Sequence, residues 1–467
     1  MRAGMFIVLS VQAQPKLQRQ RGQILVLVAI ALSVLIGLVG LAIDSGLAYG
    51  VKAKLASAVD AASIAGARAL AEGVDDAARI AAARTAAKDY YAANFPAIFM
   101  GAARVPLTDD MISAVHDSTG YWTVTVTGSA VMPVTFMRLL GFSDFPISAM
   151  GQSIRRDLDI ILVLDTSGSL ASPSSTFPAL KAAAVNFVNK FNAGANGDRV
   201  GVVSFASGAV LDVPIVKDGT RGFNKTQVIN AINALNVSGS TASAEGLRLA
   251  LNDINGVPPI NRSSLRMIVF FSDGAPNDVP AIFNNGGTLV TGDLYSETSS
   301  PGTSRATRIF RSDRRDTQQS DVNNVSTLPA LGFEVTGVGF ISLASYNNQR
   351  TLTGSPATNT RCNVNKAARN MTENVANTAR SQGVKIHSIA LGAAVNTLEI
   401  NFCAYVSGGD ASEVGSSLLK RLSNTIDSGL NSYNPAQPTG LYVWAENAVD
   451  LDNAFTSIAS EILRLSR

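Results

Sequence analysis

The sequence predicts an α/β protein, with a doubly wound, mostly parallel sheet preceded by a long apolar helix and a small antiparallel sheet. Three observations predict this. From Asp157 onward, short apolar runs alternate with amphipathic stretches, the pattern of a parallel sheet covered on both faces. Residues 24–43 form an uncharged apolar run of 20 residues. Residues 121–126, YWTVTV, alternate and are rich in β-branched and aromatic residues. The 467 residues suggest about three structural units. With 46% hydrophobic and 16% charged residues, the chain is neither disordered nor highly charged. Its 38 basic and 35 acidic residues nearly balance, which argues against a protein built mainly to bind nucleic acid. Only 2 histidines and 2 cysteines are present. That excludes Cys/His zinc clusters, haem attachment and iron–sulfur cages, so a metal here must be held by oxygen.

At 1.5 Å per residue the apolar run reaches about 30 Å, the thickness of a bilayer's hydrocarbon core. A buried core helix or a cleaved signal peptide fits its length and flanks less well. Arg2, Lys16, Arg19 and Arg21 precede it, whereas Asp44, Lys52, Lys54 and Asp60 follow. The basic excess predicts a cytoplasmic N-terminus, residues 1–21, a transmembrane helix at 22–43, and export of the remainder. A second apolar stretch, residues 5–11, is too short to span and receives no function.

Helix-forming residues continue from Asp44 to about Asn94, with no proline until Pro96. They predict a stalk helix continuous with the anchor, with Tyr49, Leu55, Ile64 and Leu70 as its apolar contacts. Residues 111–115 and 147–154 are expected to pair with 121–126, and 134–140 to form a short helix between them. Residues 44–156 would then be a stalk helix with a small sheet, which resembles the pilin architecture. The stretch from Arg21 to Leu70 resembles the N-terminal segment of the TadE/TadG-like proteins of the tight-adherence (Flp) pilus system. The likeness lies in the basic-Gly pair before the span, Asp44 after it, and the run from Asp60 to Leu70, DAASIAGARAL. Prepilins carry a Glu a few residues into the apolar helix. Gln23 to Leu27 contain none, which argues against processing by a prepilin peptidase.

The chemistry is expected beyond Asp157. Residues 159–165, 199–205, 265–271, 385–391 and 441–444 read as apolar strands, with 210–216 as a hairpin neighbour. Helical patterns cover 177–188, 226–235, 243–254 and 449–463. Ligands of such sheets sit at the carboxyl ends of strands. Asp165, Ser167 and Ser169 form D-x-S-x-S at the end of the first strand, Thr241 precedes a helix, and Asp273 ends another core strand. Serines there also cap helices. Two carboxylates and three hydroxyls on three loops nevertheless make an all-oxygen set of the kind hard divalent cations take. The constellation resembles the metal-ion-dependent adhesion site of von Willebrand factor type A domains. Further support comes from DRVGVVSFAS, GSTASAEGLRLAL and MIVFFSDGAPND. The resemblance implies Asp165, Ser167, Ser169 and Thr241 as ligands, with Asp273 bound directly or through water. It implies magnesium first, manganese or calcium next, and a domain that binds partners without catalysing a reaction.

Residues 157–467 would form this domain, with an insertion at about 279–364 that is rich in Asn, Ser, Thr and Gly. It leaves the Asp273 loop, so it is expected near the metal face. A loop of this length is usually functional or disordered. Arg305, Arg308, Arg311, Arg314 and Arg315, with Asp313 and Asp316 interleaved, predict a solvated surface that meets an acidic partner. Gly337-Val338-Gly339 does not open a helix and is a weak signal. Cys362 and Cys403 could lie close together, and export would permit a disulfide. Such a pair also resembles the TadG-like proteins that join this anchor to a von Willebrand A domain. His116 and His387 fall in strands and are expected to be structural.

These readings combine into a single-pass protein of the bacterial inner membrane, with its C-terminal domain periplasmic or extracellular. It would not be an enzyme. It would bind an acidic side chain of a pilus-assembly or envelope protein through the metal, during assembly or anchoring of tight-adherence pili. One rival is a surface adhesin or minor pilin binding an external ligand. Another is a metal-dependent hydrolase, against which stand the scarcity of histidine and the lack of a general base beside the metal set.

Overall fold

The computed structural model describes residues 21–70, 76–116, 121–194, 197–295, 303–322, 325–344, 350–396, 414–429 and 432–466. Helix α1, Arg21–Ala69, is unbroken through 49 residues. Apolar side chains from Ile24 to Leu38 are exposed, whereas Val51, Leu55, Val59 and Ala62 are fully buried. This is the one described helix long and apolar enough to cross a membrane. Asp44 marks the change. It is buried, and its carboxylate accepts the N–H groups of Thr135, Phe136 and Met137 at 3.2, 2.9 and 2.8 Å. These amides, led by that of Met137, hold its pKa below the usual carboxylate range.

The expected continuous stalk helix is corrected. α1 ends at Ala69, and α2, Asp76–Asn94, packs back along it. The alanine-rich faces allow this close approach, since a Cβ on Gly66 would lie 3.1 Å from the Ala83 carbonyl oxygen. Leu55 and Leu70 are buried as expected, but Tyr49 and Ile64 face outward. Strands β1 (Ile98–Phe99), β2 (Ala102–Arg104), β3 (Ile112–His116), β4 (Tyr121–Pro133) and β5 (Asp144–Arg156) form an antiparallel sheet centred on β4. The alternation in β4 buries Trp122, Val124 and Val126 against α1 and α2. A 3₁₀ turn, Met137–Leu140, stands where the short helix was expected.

Only Asp157 separates β5 from β6, Leu158–Asp165. There follow α3 (Thr176–Asn189), β7 (Arg199–Phe205), β8 (Ala209–Val213), α4 (Lys225–Asn233), α5 (Ser243–Asn255) and β9 (Leu265–Ser272). Beyond them lie β10 (Asp278–Asn285), β11 (Thr288–Tyr295), β12 (Arg308–Phe310), β13 (Gln318–Asp321), β14 (Leu331–Val335) and β15 (Gly339–Ser342). The chain continues with α6 (Arg361–Ser381), β16 (Val384–Leu391), α7 (Gly415–Leu422), β17 (Tyr442–Ala445) and α8 (Leu451–Leu465). The central sheet runs β17-β16-β9-β6-β7-β8, parallel except for β8. Every residue of β6 is buried, because the sheet is covered on both sides. Ile161 and Val163 face α5 and α6, whereas Ile160, Leu162 and Leu164 face α3 and α8. The α8 stripe of Leu451, Phe455, Ile458 and Ile462 recurs at helical spacing.

The insertion departs from the expected solvated loop. β10 to β13 form an antiparallel sheet and β14–β15 a hairpin. Val279, Ala281 and Phe283 alternate inward and join the core of α5 and α6 with Leu294 and Ile309. Arg305, Arg311 and Arg314 are exposed, the last two beside Asp313, but Arg315 reaches inward to Ser204 and Asp212. Gly337-Val338-Gly339 is the hairpin turn, with φ of 77° and 106° at its glycines.

Candidate functional site

The carboxyl ends of the parallel strands carry the site. β6 pairs in register with β7 at Asp165–Phe205 and with β9 at Leu164–Phe271, so Asp165 and Asp273 emerge from neighbouring strands. Asp165 is wholly buried. Its Oδ1 accepts the Ser167 N–H at 2.8 Å, which turns the chain sharply after the strand. Its Oδ2 accepts the Ser272 hydroxyl at 2.6 Å. Ser167 Oγ lies 3.1 Å from Ser169 Oγ, and Ser169 Oγ donates to Asp273 Oδ1 at 2.9 Å. Asp165, Ser167, Ser169 and Asp273 are therefore one connected cluster of oxygens, buried at Asp165 and exposed at Ser169.

Thr241 sits at the entrance to α5 and is buried. Its N–H donates to Asn277 Oδ1 at 2.8 Å, and its carbonyl accepts the Asn277 N–H at 3.2 Å. The Gly168 N–H donates to the Gly239 carbonyl at 3.0 Å, tying the Thr241 loop to the D-x-S-x-S turn. Gly239 has φ of 77°, and a Cβ there would meet Ser207 Oγ at 2.6 Å, so the junction requires glycine.

Burial, and then the neighbouring charge of Asp273, push Asp165 up to about 7. Burial likewise pushes Asp273 up to about 6. Two carboxylates held this close repel unless a proton or a cation lies between them. Hydroxyls and carboxylates on rigid strand ends are the donor chemistry of a hard divalent cation, and the set fits one.

Ser167, Ser169, Thr241 and Asp273 line a groove of about 1210 Å³, and Asp165 is buried behind them. Its walls include Tyr295, Arg308, Phe310 and Asp316 from the insertion, and Glu446 and Val449 before α8. Arg308 lies over the Tyr295 ring at 5.9 Å, and Phe310 meets Tyr295 edge-on at 5.9 Å. Sequence reasoning singled out the five oxygen-bearing residues but missed Ser272 and Asn277, which position them. Both stand beside Asp273 in the run SDGAPND, where their polarity next to a buried strand end was the available signal. The insertion's aromatic wall left no such signal.

Cys362 lies in the first turn of α6, whereas Cys403 lies outside the described residues, and the proposed pair with it. His387 is buried in β16 and its Nδ1 accepts the Leu441 N–H at 3.1 Å. His116 stacks on Trp122 at 4.7 Å. Neither histidine lines the groove.

Comparison with known proteins agrees with this architecture. Residues 160–275 match the family model of the von Willebrand factor type A domain. Residues 22–69 match that of the putative Flp pilus-assembly TadE/G-like segment. The chain thus joins a TadE/G-like N-terminal segment to a von Willebrand factor type A domain. No curated protein matches the chain. Among solved structures it is similar to the pilus adhesin SpaC from Lactobacillus rhamnosus GG, at 16% identity and a TM-score of 0.37. That match covers 76% of this chain but 34% of SpaC, so the chain spans about a third of that protein's length. It is also similar to the vWF domain of the type V pili tip protein Mfa5 from Porphyromonas gingivalis, at 17% identity and a TM-score of 0.37. There the match covers 68% of this chain and 98% of the other. The PilB minor pilin from Streptococcus sanguinis gives 18% identity and a TM-score of 0.36, covering 76% and 78%.

Proposed function

We propose that this chain is a membrane-anchored, divalent-cation-dependent protein-binding factor in the assembly or anchoring of tight-adherence (Flp) pili. The observation that carries the proposal is the connected oxygen cluster of Asp165, Ser167, Ser169 and Asp273, whose last three members line an open groove. Asp165, Ser167, Ser169 and Thr241 would hold the cation, with Asp273 direct or through water, and magnesium is the expected ion. A bound cation supplies an electrophilic position that a partner's Asp or Glu carboxylate can occupy. The residues themselves bind and orient. Asp165 is fixed by Ser272 and the Ser167 amide, and Thr241 by Asn277. The reading is of a binding protein and not an enzyme, because both histidines have structural surroundings away from the groove.

Residues 22–43 of α1 would cross the inner membrane, with the N-terminus cytoplasmic and the sheet domain outside. The exposed apolar surface of this segment and the TadE/G-like match support the anchor. A second reading, a minor pilin or surface adhesin, draws support from α1 lying against an antiparallel sheet, as in pilins. Co-purification with sheared pili would favour it, and retention in inner membranes would oppose it.

The test is calorimetric titration of the full chain in detergent with magnesium, manganese and calcium, beside Asp165→Ala and Thr241→Ala. Saturable binding that weakens at least about tenfold in both variants is expected. Binding of unchanged affinity in the variants, or none in the folded wild type, would overturn the cation-dependent reading.

A further inference from the structure

Beside the D-x-S-x-S cluster lies a second set of oxygens to which the insertion contributes. Asp316 Oδ1 accepts the Ser207 hydroxyl at 3.1 Å. Ser207 Oγ lies 2.9 Å from Ser240 Oγ and also accepts the Ser240 N–H at 3.0 Å. Ser240 Oγ in turn contacts Asp278 Oδ2. A carboxylate, two hydroxyls and a carboxylate therefore stand in a row, drawn from β10, the Thr241 loop, the turn after β7 and the segment between β12 and β13.

Proton counting shows that the row is incomplete as a hydrogen-bond chain. It has three oxygen–oxygen contacts, and each serine brings one hydroxyl proton. Two hydroxyl protons serve at most two of the three contacts, so one contact is left without a proton. The deficit is filled by a proton on Asp278 or by a cation among the oxygens.

The surroundings favour the cation. Asp278 is fully buried, and among the described residues its Oδ1 has no hydrogen-bond partner. Asp293, opposite Pro280 on β11, lies diagonal to Asp278 on the same face of the hairpin. It too is fully buried, beside Ser312 and Arg248, and among the described residues neither carboxylate oxygen meets a hydrogen-bond donor in good geometry. Two buried carboxyls on one face of the hairpin concentrate negative charge that a cation offsets. The guanidinium nearby, Arg248, makes two contacts to Glu245. Asp316 is exposed, and Asp316, Ser207 and Ser240 all line the groove, so an ion has a path in. The Ser207 contacts to Asp316 and Ser240, at 3.1 and 2.9 Å, also match adjacent ligands around a small hard cation, whose octahedral edge is about 2.9 Å.

We propose that Asp278, Asp316, Ser207 and Ser240 form a second divalent-cation site, completed by the insertion and opening into the same groove. This site does not depend on the first. Asp316 belongs to the insertion, so the second ion would also pin the insertion against the Thr241 loop and set the width of the groove.

The test counts manganese ions bound by the full chain in detergent, with free Mn2+ read by electron paramagnetic resonance. Wild type is expected to bind two ions, Asp316→Asn one, Asp165→Ala one, and the double variant none. Asp316 is exposed, so its substitution should leave the fold intact, which circular dichroism checks. Asp278→Asn is a second variant, also expected to bind one ion. A wild-type count that Asp316→Asn and Asp278→Asn both leave unchanged would overturn the proposal. Failure of the first site shows differently, as a count that Asp165→Ala leaves unchanged while Asp316→Asn lowers it.

Discussion

Single residues decide how this chain treats charge. His387 is buried in β16, and burial, with a lesser contribution from Lys385, lowers its pKa to about 3, while Glu461 acts the other way. Its Nδ1 must stay unprotonated to accept the Leu441 N–H that joins β16 to the start of β17. Between the unfolded value of about 6.5 and about 3, the unfolded chain binds the extra proton and the folded chain does not. His387 therefore contributes its full stability above about pH 6.5, and that contribution is lost as pH falls toward 3. Urea midpoints measured from pH 7 to pH 4 should fall more steeply for wild type than for His387→Gln, which keeps an acceptor without a titrating ring. Equal slopes would show that His387 does not carry the effect. The oxygen-bearing residues at the strand ends follow another logic. Asp165 was legible because D-x-S-x-S places three oxygens within one turn of a strand end. Ser272 and Asn277 were not, because only the folded chain brings them to Asp165 and Thr241.

At the scale of elements, close packing of α1 on the small sheet is the main device. Gly151 of β5 lies under α1, where a Cβ would come 2.7 Å from the Val59 carbonyl oxygen and 2.8 Å from the Asp60 nitrogen. These are backbone atoms of a helix and cannot turn aside. Gly151→Val should cost about 1–3 kcal/mol or more, as over-packing does. Gly46→Ala is the control, because no atom lies within 4 Å of a Cβ there. Alanine at that helical position should be neutral, or stabilising by up to about 1 kcal/mol. Urea denaturation of the two variants reads the difference, and a Gly151→Val chain as stable as wild type would refute this account of the packing. The end of α1 at Ala69 escaped sequence reading because helix-forming residues continue past it, with Gly73, of low helix propensity, as the one cue in the sequence. The insertion escaped because its outward residues set its composition, while Val279, Ala281 and Phe283 alternate within a short span.

Across the whole molecule, an open groove and an exposed apolar helix segment stand on one continuous chain. The two folded units meet without a flexible linker. Arg155 lies 3.4 Å from Asp198, Arg221 lies 3.4 Å from Asp157, and the Arg156 N–H donates to the Ser466 carbonyl at 2.6 Å. The groove is thereby carried at a fixed attitude to the small sheet, and through Asp44 that sheet is tied to α1 where its exposed apolar surface ends. Removing residues 1–43 should move the protein from a carbonate-resistant membrane fraction to the soluble fraction with its fold intact. Persistent membrane association of that fragment would place the anchor elsewhere.

The sequence by itself determined the length of the apolar run, the strands of the central sheet with four of its helices, and the oxygen-bearing residues at the strand ends. Each of these is written in local periodicity or in motifs a few residues long, which need no distant partner to be read. Only the tertiary structure decided that α2 folds back on α1, that Asp44 caps the turn at Thr135 to Met137, and that the insertion walls the groove. Only it set Asp278, Asp293 and Asp316 near one another, on separate elements of the insertion. Those features join residues far apart in sequence, and their contacts exist only once the core between α5, α6 and the insertion has closed.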